Sequence, residues 1–356
     1  MRITTAQLQP YALPLKAAWQ SAAGTLSVRH GWLIQLETDS GLTGYGECAP
    51  LPSHGSEDPA AAERALNRWT ATLPGQWAET ALAELAAPAT CATPAARAAV
   101  ETALLDLLSQ QAGSPLANYL CQQECSRNVA ANTMLGTTIG FTEAQLDEAL
   151  TANYSVIKLK VGIAAPEDEI AALRRLAQRL PANTRLRLDA NRAWTMESAR
   201  RYCDALSGLP IESIEEPLAK PVTKDLRTLQ QQLSFPLALD ESLHGQAADF
   251  LCSEAPVRRL VLKLAPLGGL LPALVLAQRA NAAGLECVVT TGIDSACGTL
   301  AAAHLAAALG NSLAHGLATS SWLAHDTGTV PAIENGRLYL PENCGLGFRP
   351  ASTSRA

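Results

Sequence analysis

From Val129 onward, short β-branched or leucine-rich runs alternate with helical stretches: Val129–Leu135, Val156–Val161, Leu186–Ala190, Ile211–Glu215, Leu237–Asp240, Leu260–Leu264, Glu286–Thr291 and a weaker run at Ala314–Thr319. Their starts recur about every 23 to 30 residues, the length of a strand plus a crossover helix, and parallel strands need crossovers of that kind. Eight such units predict an α/β fold, a (β/α)8 barrel over residues 126–325. A doubly wound open sheet is the competing solution, but it would carry a glycine-rich phosphate loop after its first strand. Thr133–Gly140 has none of that form.

Residues 1–125 read differently. Strand-like runs at Ile3–Leu15, Gly31–Thr38 and Gly44–Ala49, with Asp39-Ser40-Gly41 as a hairpin turn, precede helical stretches at Asp58–Leu73 and Pro94–Gln111. An antiparallel sheet followed by helices makes an α+β unit. Gly41, Gly44 and Gly46 precede a strand end instead of opening a helix, so the hairpin is favoured over a dinucleotide fingerprint. In the tail, 326–356, the strand-like Gly336–Leu340 is expected to return and pair with the first unit.

The charge balance narrows the function. Thirty-three acidic against 27 basic residues, with no dense basic run, exclude the footprint of a nucleic-acid binder. No signal-peptide pattern or long uncharged apolar run is present, which leaves no membrane partner and places the chain in the cytoplasm. Nine cysteines in a chain of this length read as free thiols, and Cys121 with Cys125 lacks the second pair of a zinc site.

Lysine is scarce: six, three of them in runs that should be buried. Lys158 and Lys160, two apart, share one strand face, and Lys263 interrupts Leu260–Leu264. Three buried ammoniums need negative partners. Asp189, Glu215 with Glu216, and Asp240 with Glu241 end the three strands between, at the C-terminal end where barrel active sites are built. Three converging carboxylates repel unless a hard cation joins them, and such a set suits Mg²⁺, with Mn²⁺ as the alternative. The competing reading, an internal salt-bridge network without metal, buries these charges at several kcal/mol per ion.

The set Lys158-x-Lys160, Leu188-Asp-Ala-Asn-Arg-Ala-Trp-Thr195, Ile214-Glu-Glu-Pro217, Asp240-Glu-Ser242 and Lys263 resembles the muconate-lactonizing subgroup of the enolase superfamily. That resemblance implies an N-terminal α+β capping domain, Mg²⁺ held by Asp189, Glu215 and Asp240, and Lys160 and Lys263 facing each other across a small-molecule carboxylate substrate. A proton α to a carboxylate is too weak an acid for an unaided amine, so the metal and nearby cations must stabilise the charge that develops. Lysine is a base only when neutral, which gives Lys158 the role of lowering the pKa of Lys160.

Within the subgroup, Gly44-Tyr-Gly-Glu-Cys-Ala-Pro-Leu-Pro52 and Leu186-Arg-Leu-Asp-Ala-Asn-Arg-Ala-Trp-Thr195 are similar to the o-succinylbenzoate synthases of menaquinone biosynthesis, lyases that dehydrate a cyclohexadiene carboxylate. Arg187, Asn191 and Glu241, with Thr291 and Gly292, are carried over as substrate-side or supporting residues. Strand seven departs from the pattern: Thr290–Ser295 replaces a serine-rich stretch. The alternative is an N-acylamino acid racemase, dipeptide epimerase or cycloisomerase with the same catalytic set. Dipeptide epimerases need an Asp-x-Asp after strand eight, and His315–Leu323 holds no acid. A barrel kept only for binding has no use for intact ligands and both lysines. Substrate specificity is expected in the loops at Lys16–Thr25 and Pro50–Glu57.

Overall fold

The computed structural model describes residues 1–21, 24–85, 92–243 and 254–351. Ala22 and Ala23 of the first specificity loop and 352–356 of the tail lie outside the described residues.

The first unit is a three-stranded antiparallel sheet, β1 (Ile3–Ser21), β2 (Gly24–Thr38) and β3 (Thr43–Cys48), in that order. The hairpin turn falls at Asp39–Gly41 as expected, with the Gly41 amide bonded to the Thr38 carbonyl at 3.0 Å and Gly41 at φ 79°. Among the described residues four α-helices follow: α1 (Pro59–Thr72), α2 (Ala78–Leu85), α3 (Pro94–Gln111) and α4 (Leu116–Cys121). Asp58 caps α1 by accepting the Ala61 amide at 3.0 Å. Almost every residue of α3 is buried, as befits a helix covered on all sides.

The two later glycines of the hairpin explain how α3 comes so close. A Cβ on Gly46 would stand 1.9 Å from the Ala99 carbonyl oxygen, and one on Gly44 would stand 2.3 Å from that of Ala103. Both lie on the face of β3 against α3, so helix and strand meet backbone to backbone.

The barrel runs β5 (Thr133–Thr137), α5 (Glu143–Thr151), β6 (Val156–Lys160), α6 (Pro166–Ala177), β7 (Arg185–Asp189), α7 (Met196–Ala205), β8 (Ile211–Glu215), α8 (Thr223–Gln231), β9 (Leu237–Leu239) and β10 (Arg259–Leu262). It ends with α9 (Leu264–Leu267), α10 (Leu270–Ala282), β11 (Glu286–Val289) and α11 (Ala296–Leu309). Strands β5 to β11 form one parallel sheet in sequence order. The weak eighth run closes the ring as a short bridge: His315 pairs with Ala131 and Gly316 with Thr290, both in parallel. The fold is therefore the expected α/β barrel with an α+β cap.

Two expectations change. The run Val129–Leu135 is two strands, because the chain switches partners at its middle: the Ala131 amide bonds Gly336 and the Asn132 amide bonds His315. Its first half, β4 (Asn128–Ala130), pairs with the tail strand β13 (Arg337–Tyr339), which also pairs with β12 (Ile333–Glu334). The tail strand thus joins β4 and not the cap sheet. Contact with the cap is made further on, where Asp106 of α3 accepts the Leu346 amide at 2.8 Å and the Tyr45 amide at 3.0 Å, and Phe348 meets Tyr45 edge-on at 5.3 Å. A buried carboxylate with backbone donors from two distant segments ties the tail down more strongly than a three-residue strand can.

Gly46→Ala should destabilise the protein by about 3 kcal/mol, the upper range for overpacking, because backbone and not a pliable side chain must yield. Urea denaturation measures this; a variant as stable as the parent would show that β3 and α3 do not approach this closely.

Candidate active site

Strand register sets the site. Lys158 lies opposite Arg187, Lys160 opposite Asp189, and Asp189 opposite Glu215, so the ends of β6, β7 and β8 stand side by side at one mouth. Asp240 follows β9 directly and Lys263 follows β10. In a ring closed by eight segments, β6 and β10 are four places apart, so Lys160 and Lys263 stand on opposite sides of the mouth. Side chains alternate along β6, which sends both Lys158 and Lys160 inward.

Charge is balanced pairwise. The Lys158 ammonium lies 2.9 Å from Asp189 Oδ2 and contacts Glu215 Oε2, bridging two strands. Burial works to lower its pKa, and these carboxylates overcome that and hold it above the usual lysine value. Burial likewise pushes the Glu215 carboxyl above the usual carboxylate range. Lys263 Nζ pairs with Asp240 Oδ2 at 2.7 Å. Burial opposes ionisation of Asp240, but the Lys263 ammonium outweighs it and keeps that carboxyl below the usual range.

Glu216 does different work from its neighbour. At φ 44° it turns away from the mouth, and its carboxylate accepts the amides of Asp240 and Ser242 at 2.7 and 2.8 Å and the Ser242 hydroxyl at 2.6 Å. It fixes the turn that presents Asp240. Asn191 donates to Glu241 Oε1 at 3.0 Å and its amide bonds Asp189 Oδ1 at 3.0 Å. Burial and the neighbouring Asp240 raise the Glu241 pKa to about 7. Arg187 is buried beneath this layer and already engaged: Glu212 Oε2 at 2.9 Å, the Ala314 carbonyl at 2.9 Å and Asn132 Oδ1 at 3.2 Å. It also borders the cavity, at its floor.

Above the charges is a cavity of about 190 Å³ that the lysines and the three acids share with Asn191, Glu241, Thr291 and Gly292. Its outer wall comes from the cap, through Trp19, Leu51, Ser53 and His54, and from Ile293 and Trp322 of the barrel. Both expected specificity loops therefore reach it. The Lys160 ammonium sits 4.8 Å from the centroid of the Trp19 ring, which packs edge-on against Trp322 at 4.8 Å. Burial lowers the Lys160 pKa, and Lys158 adds to this against the opposing pull of Asp189. Burial, followed by the field of Lys263, pushes His54 down to about 3, so it faces the cavity as a neutral imidazole.

Among the described residues no three His, Cys, Asp or Glu side chains close into a metal-coordinating cluster; the carboxylates rest on ammoniums instead. Even so the donors fit a hard cation. Asp240 Oδ1 is buried without a hydrogen-bond partner, Lys158 already acts as a cation shared by Asp189 and Glu215, and every donor is a carboxylate oxygen. Asp189, Glu215 and Asp240 could hold a divalent ion.

Trp19, His54 and Trp322 are absent from the sequence-derived set. The signal available for the tryptophans was scarcity: aromatic residues make up only 4% of the chain, which makes two of them at one mouth notable. Glu216 stood in plain view beside Glu215, but its supporting role depends on the backbone turn.

Comparison with known proteins agrees with this geometry. Residues 142–354 match the family described as enolase C-terminal domain-like, and residues 3–98 match the one described as MenC, N-terminal domain. The hydrophobic dipeptide epimerase of Enterococcus faecalis is 29% identical over 355 residues, covering 98% of this chain and 99% of that protein. The crystal structure of dipeptide epimerase from Enterococcus faecalis V583, complexed with Mg and the dipeptide L-Leu-L-Tyr, superposes with a TM-score of 0.87 at 28% identity, covering 98% of this chain and 100% of that one. Muconate lactonizing enzyme from Pseudomonas fluorescens, complexed with muconolactone, gives a TM-score of 0.88 at 25% identity, covering 98% of this chain and 97% of that one. With two inward-facing strands of lysine on either side of three carboxylate-bearing ones, and this match over the barrel, the chain belongs to the enolase superfamily.

Proposed function

We propose that this protein removes a proton α to a carboxylate and dehydrates a cyclohexadiene carboxylate to o-succinylbenzoate, as a carbon–oxygen lyase. The observation that carries the reading is the cavity itself: two opposed lysines at its floor and, among the described residues, an outer wall without a carboxylate. The acids lining it, Asp189, Glu215, Asp240 and Glu241, all lie at the floor. A dipeptide brings an ammonium that, among the described lining residues of that wall, meets no carboxylate and has only the rings of Trp19 and Trp322 to offset its desolvation. A substrate whose distal part is neutral or acidic avoids that cost. The match of residues 3–98 to the MenC N-terminal domain supports the same choice.

Mg²⁺ held by Asp189, Glu215 and Asp240, or Mn²⁺ in its place, would supply Lewis-acid neutralisation of the substrate carboxylate. Neutral Lys160 takes the α-proton from one face, and its nitrogen becomes the ammonium. The bond from carbon to the hydroxyl breaks, and Lys160 returns that proton to the departing oxygen, which leaves as water. Lys263, on the other face, stabilises the charge that builds on the carboxylate. Trp19 shields the Lys160 amine from water on the cap side.

With the cyclohexadiene substrate followed by absorbance, Lys160→Ala should lose dehydration and exchange of the α-proton with D₂O by about a thousandfold. Lys263→Arg keeps the charge and cannot act as a base, so it should retain measurable dehydration. Substantial turnover by Lys160→Ala would defeat the assignment. Wild-type racemisation of an N-acyl amino acid outpacing dehydration would give the site to the racemase reading, which the full-length likeness to an epimerase supports.

The pH dependence has a definite sign. The base must be neutral, and its ammonium is destabilised by burial, so kcat/KM should rise with pH toward an apparent pKa below the ordinary 10.5 of lysine. A profile flat to alkaline pH, or one falling as pH rises from neutrality, contradicts Lys160 as the base. Chelation by EDTA should abolish turnover and added Mg²⁺ should restore it, with the fold intact by circular dichroism; turnover that survives exhaustive chelation rules out the metal.

A further inference from the structure

Two carboxylates of the cap reach into the barrel, each at the start of the helix that follows a site-bearing strand. Glu101 of α3 is fully buried and accepts the Leu271 amide at 3.0 Å in the first turn of α10. It pairs with Arg97 at 3.0 Å, and Arg97 also donates to the Gly268 carbonyl. Glu47 of β3 accepts the Ser295 amide at 2.9 Å, the Ser295 hydroxyl at 2.6 Å and the Gly298 amide at 2.6 Å, at the start of α11, while Tyr11 donates to its other side. Neither helix has an acid of its own in its first turn, and α10 has no side-chain cap. The tail adds Asp326, which accepts the Ala296 amide at 2.7 Å.

A glycine makes room for each carboxylate. A Cβ on Gly269 would lie 2.1 Å from Glu101 Oε2, and one on Gly298 would lie 2.7 Å from Glu47 Oε2. What these helices carry is the site. Lys263 precedes α9 and the Gly268-Gly269 turn into α10; Thr291, Gly292 and Ile293 precede α11. Arg29 of β2 completes the grip, donating to the Ile293 carbonyl at 3.2 Å, the Pro50 carbonyl at 2.8 Å and that of Ala49. It thereby ties the strand-seven wall to the cap loop bearing Leu51, Ser53 and His54.

We propose that Glu101 and Glu47 are positioning residues: by capping α10 and α11 from across the interface, they set where Lys263 and the Thr291–Ile293 wall stand. The cap is then part of the catalytic geometry as well as the roof of the cavity. The kinetic side of this proposal rests on the reading of Lys263 and that wall as substrate-facing; the structural side does not.

The test uses Glu101→Gln and Glu47→Gln in the full chain. Glu101→Gln should speed amide hydrogen exchange in 264–271, and Glu47→Gln in 292–298, each by about tenfold or more, with the rest of the barrel as protected as in the parent. Per folded molecule, Glu101→Gln should lower kcat at nearly constant KM, since it frees a catalytic lysine, and Glu47→Gln should raise KM at nearly constant kcat, each by about tenfold or more. Should a Gln variant fail to fold, Glu101→Asp and Glu47→Asp, which keep the charge but shorten its reach by one methylene, should reproduce the respective patterns. Unchanged local exchange, or kcat falling only with the folded fraction and no split between kcat and KM, would overturn the proposal. A parent protein that dehydrates nothing would sink the proposed reaction and leave the exchange experiment to decide the capping by itself.

Discussion

Everything at the mouth of this barrel follows from the repulsion of carboxylates on adjoining strands. Asp189 and Glu215 lie opposite each other in register, with Asp240 on the next strand end, all buried. Burial alone would drive such groups toward their neutral forms, which neither bind a cation nor pair with one. Lys158 and Lys263 oppose this by delivering ammoniums from the flanking strands. The lysines cost about as much to bury as the acids, so the arrangement is stable only as a whole, and removing either sign leaves the other stranded at about 3–5 kcal/mol.

That interdependence makes the position of strand ends matter, and strand ends are where a barrel is least constrained by its own hydrogen bonds. Lys263 lies one residue past β10, and the Thr291–Ile293 wall lies past β11. The cap supplies the missing constraint. Its helix α3 is buried between β3 and the barrel, admitted by Gly44 and Gly46, and from there Arg97 and Glu101 hold the chain after Lys263. Side chains of the cap and backbone of the barrel thus share one polar interface, with donors and acceptors from distant segments satisfied mutually.

The repeat of strand and crossover was legible in the sequence because it is written in periodicity, and so was the inward direction of Lys158 and Lys160, because alternation along a strand fixes the face. The acids and Lys263 could be placed at one end of the barrel for the same reason. What was not legible depends on partners chosen in space. The break at Ala131-Asn132 has no local signal, since both halves are compatible with strand and only the change of neighbour divides them. Strands as short as Arg337–Tyr339 have no period to read, so pairing with β4 instead of the cap sheet could not be foreseen. Trp19 meets Lys160 through a contact between two units, which no pattern within either one records.

Arg187 lies deep in the barrel, its guanidinium already engaged by Glu212, Asn132 and the Ala314 carbonyl where the residue borders the cavity. Barrel interiors are ordinarily filled with branched apolar side chains, and here Ala238, Val261 and Val288 with Leu313 form only a small apolar cluster among the described residues. Beside it, Arg187 forks onto Glu212 at 2.9 and 3.2 Å, while Arg259 contacts Glu212 and bonds Glu286 at 2.7 Å. A planar guanidinium held by a fork has little freedom to move. Its Nε stays 3.8 Å from Glu215 Oε1, a fixed positive charge below a carboxylate that burial pushes toward protonation. An apolar residue there would pack as well and remove that counterweight, and Glu215 would then hold its proton over a wider pH range. The charged floor therefore sets a fixed guanidinium beside that carboxylate from below, where its field favours the ionised form.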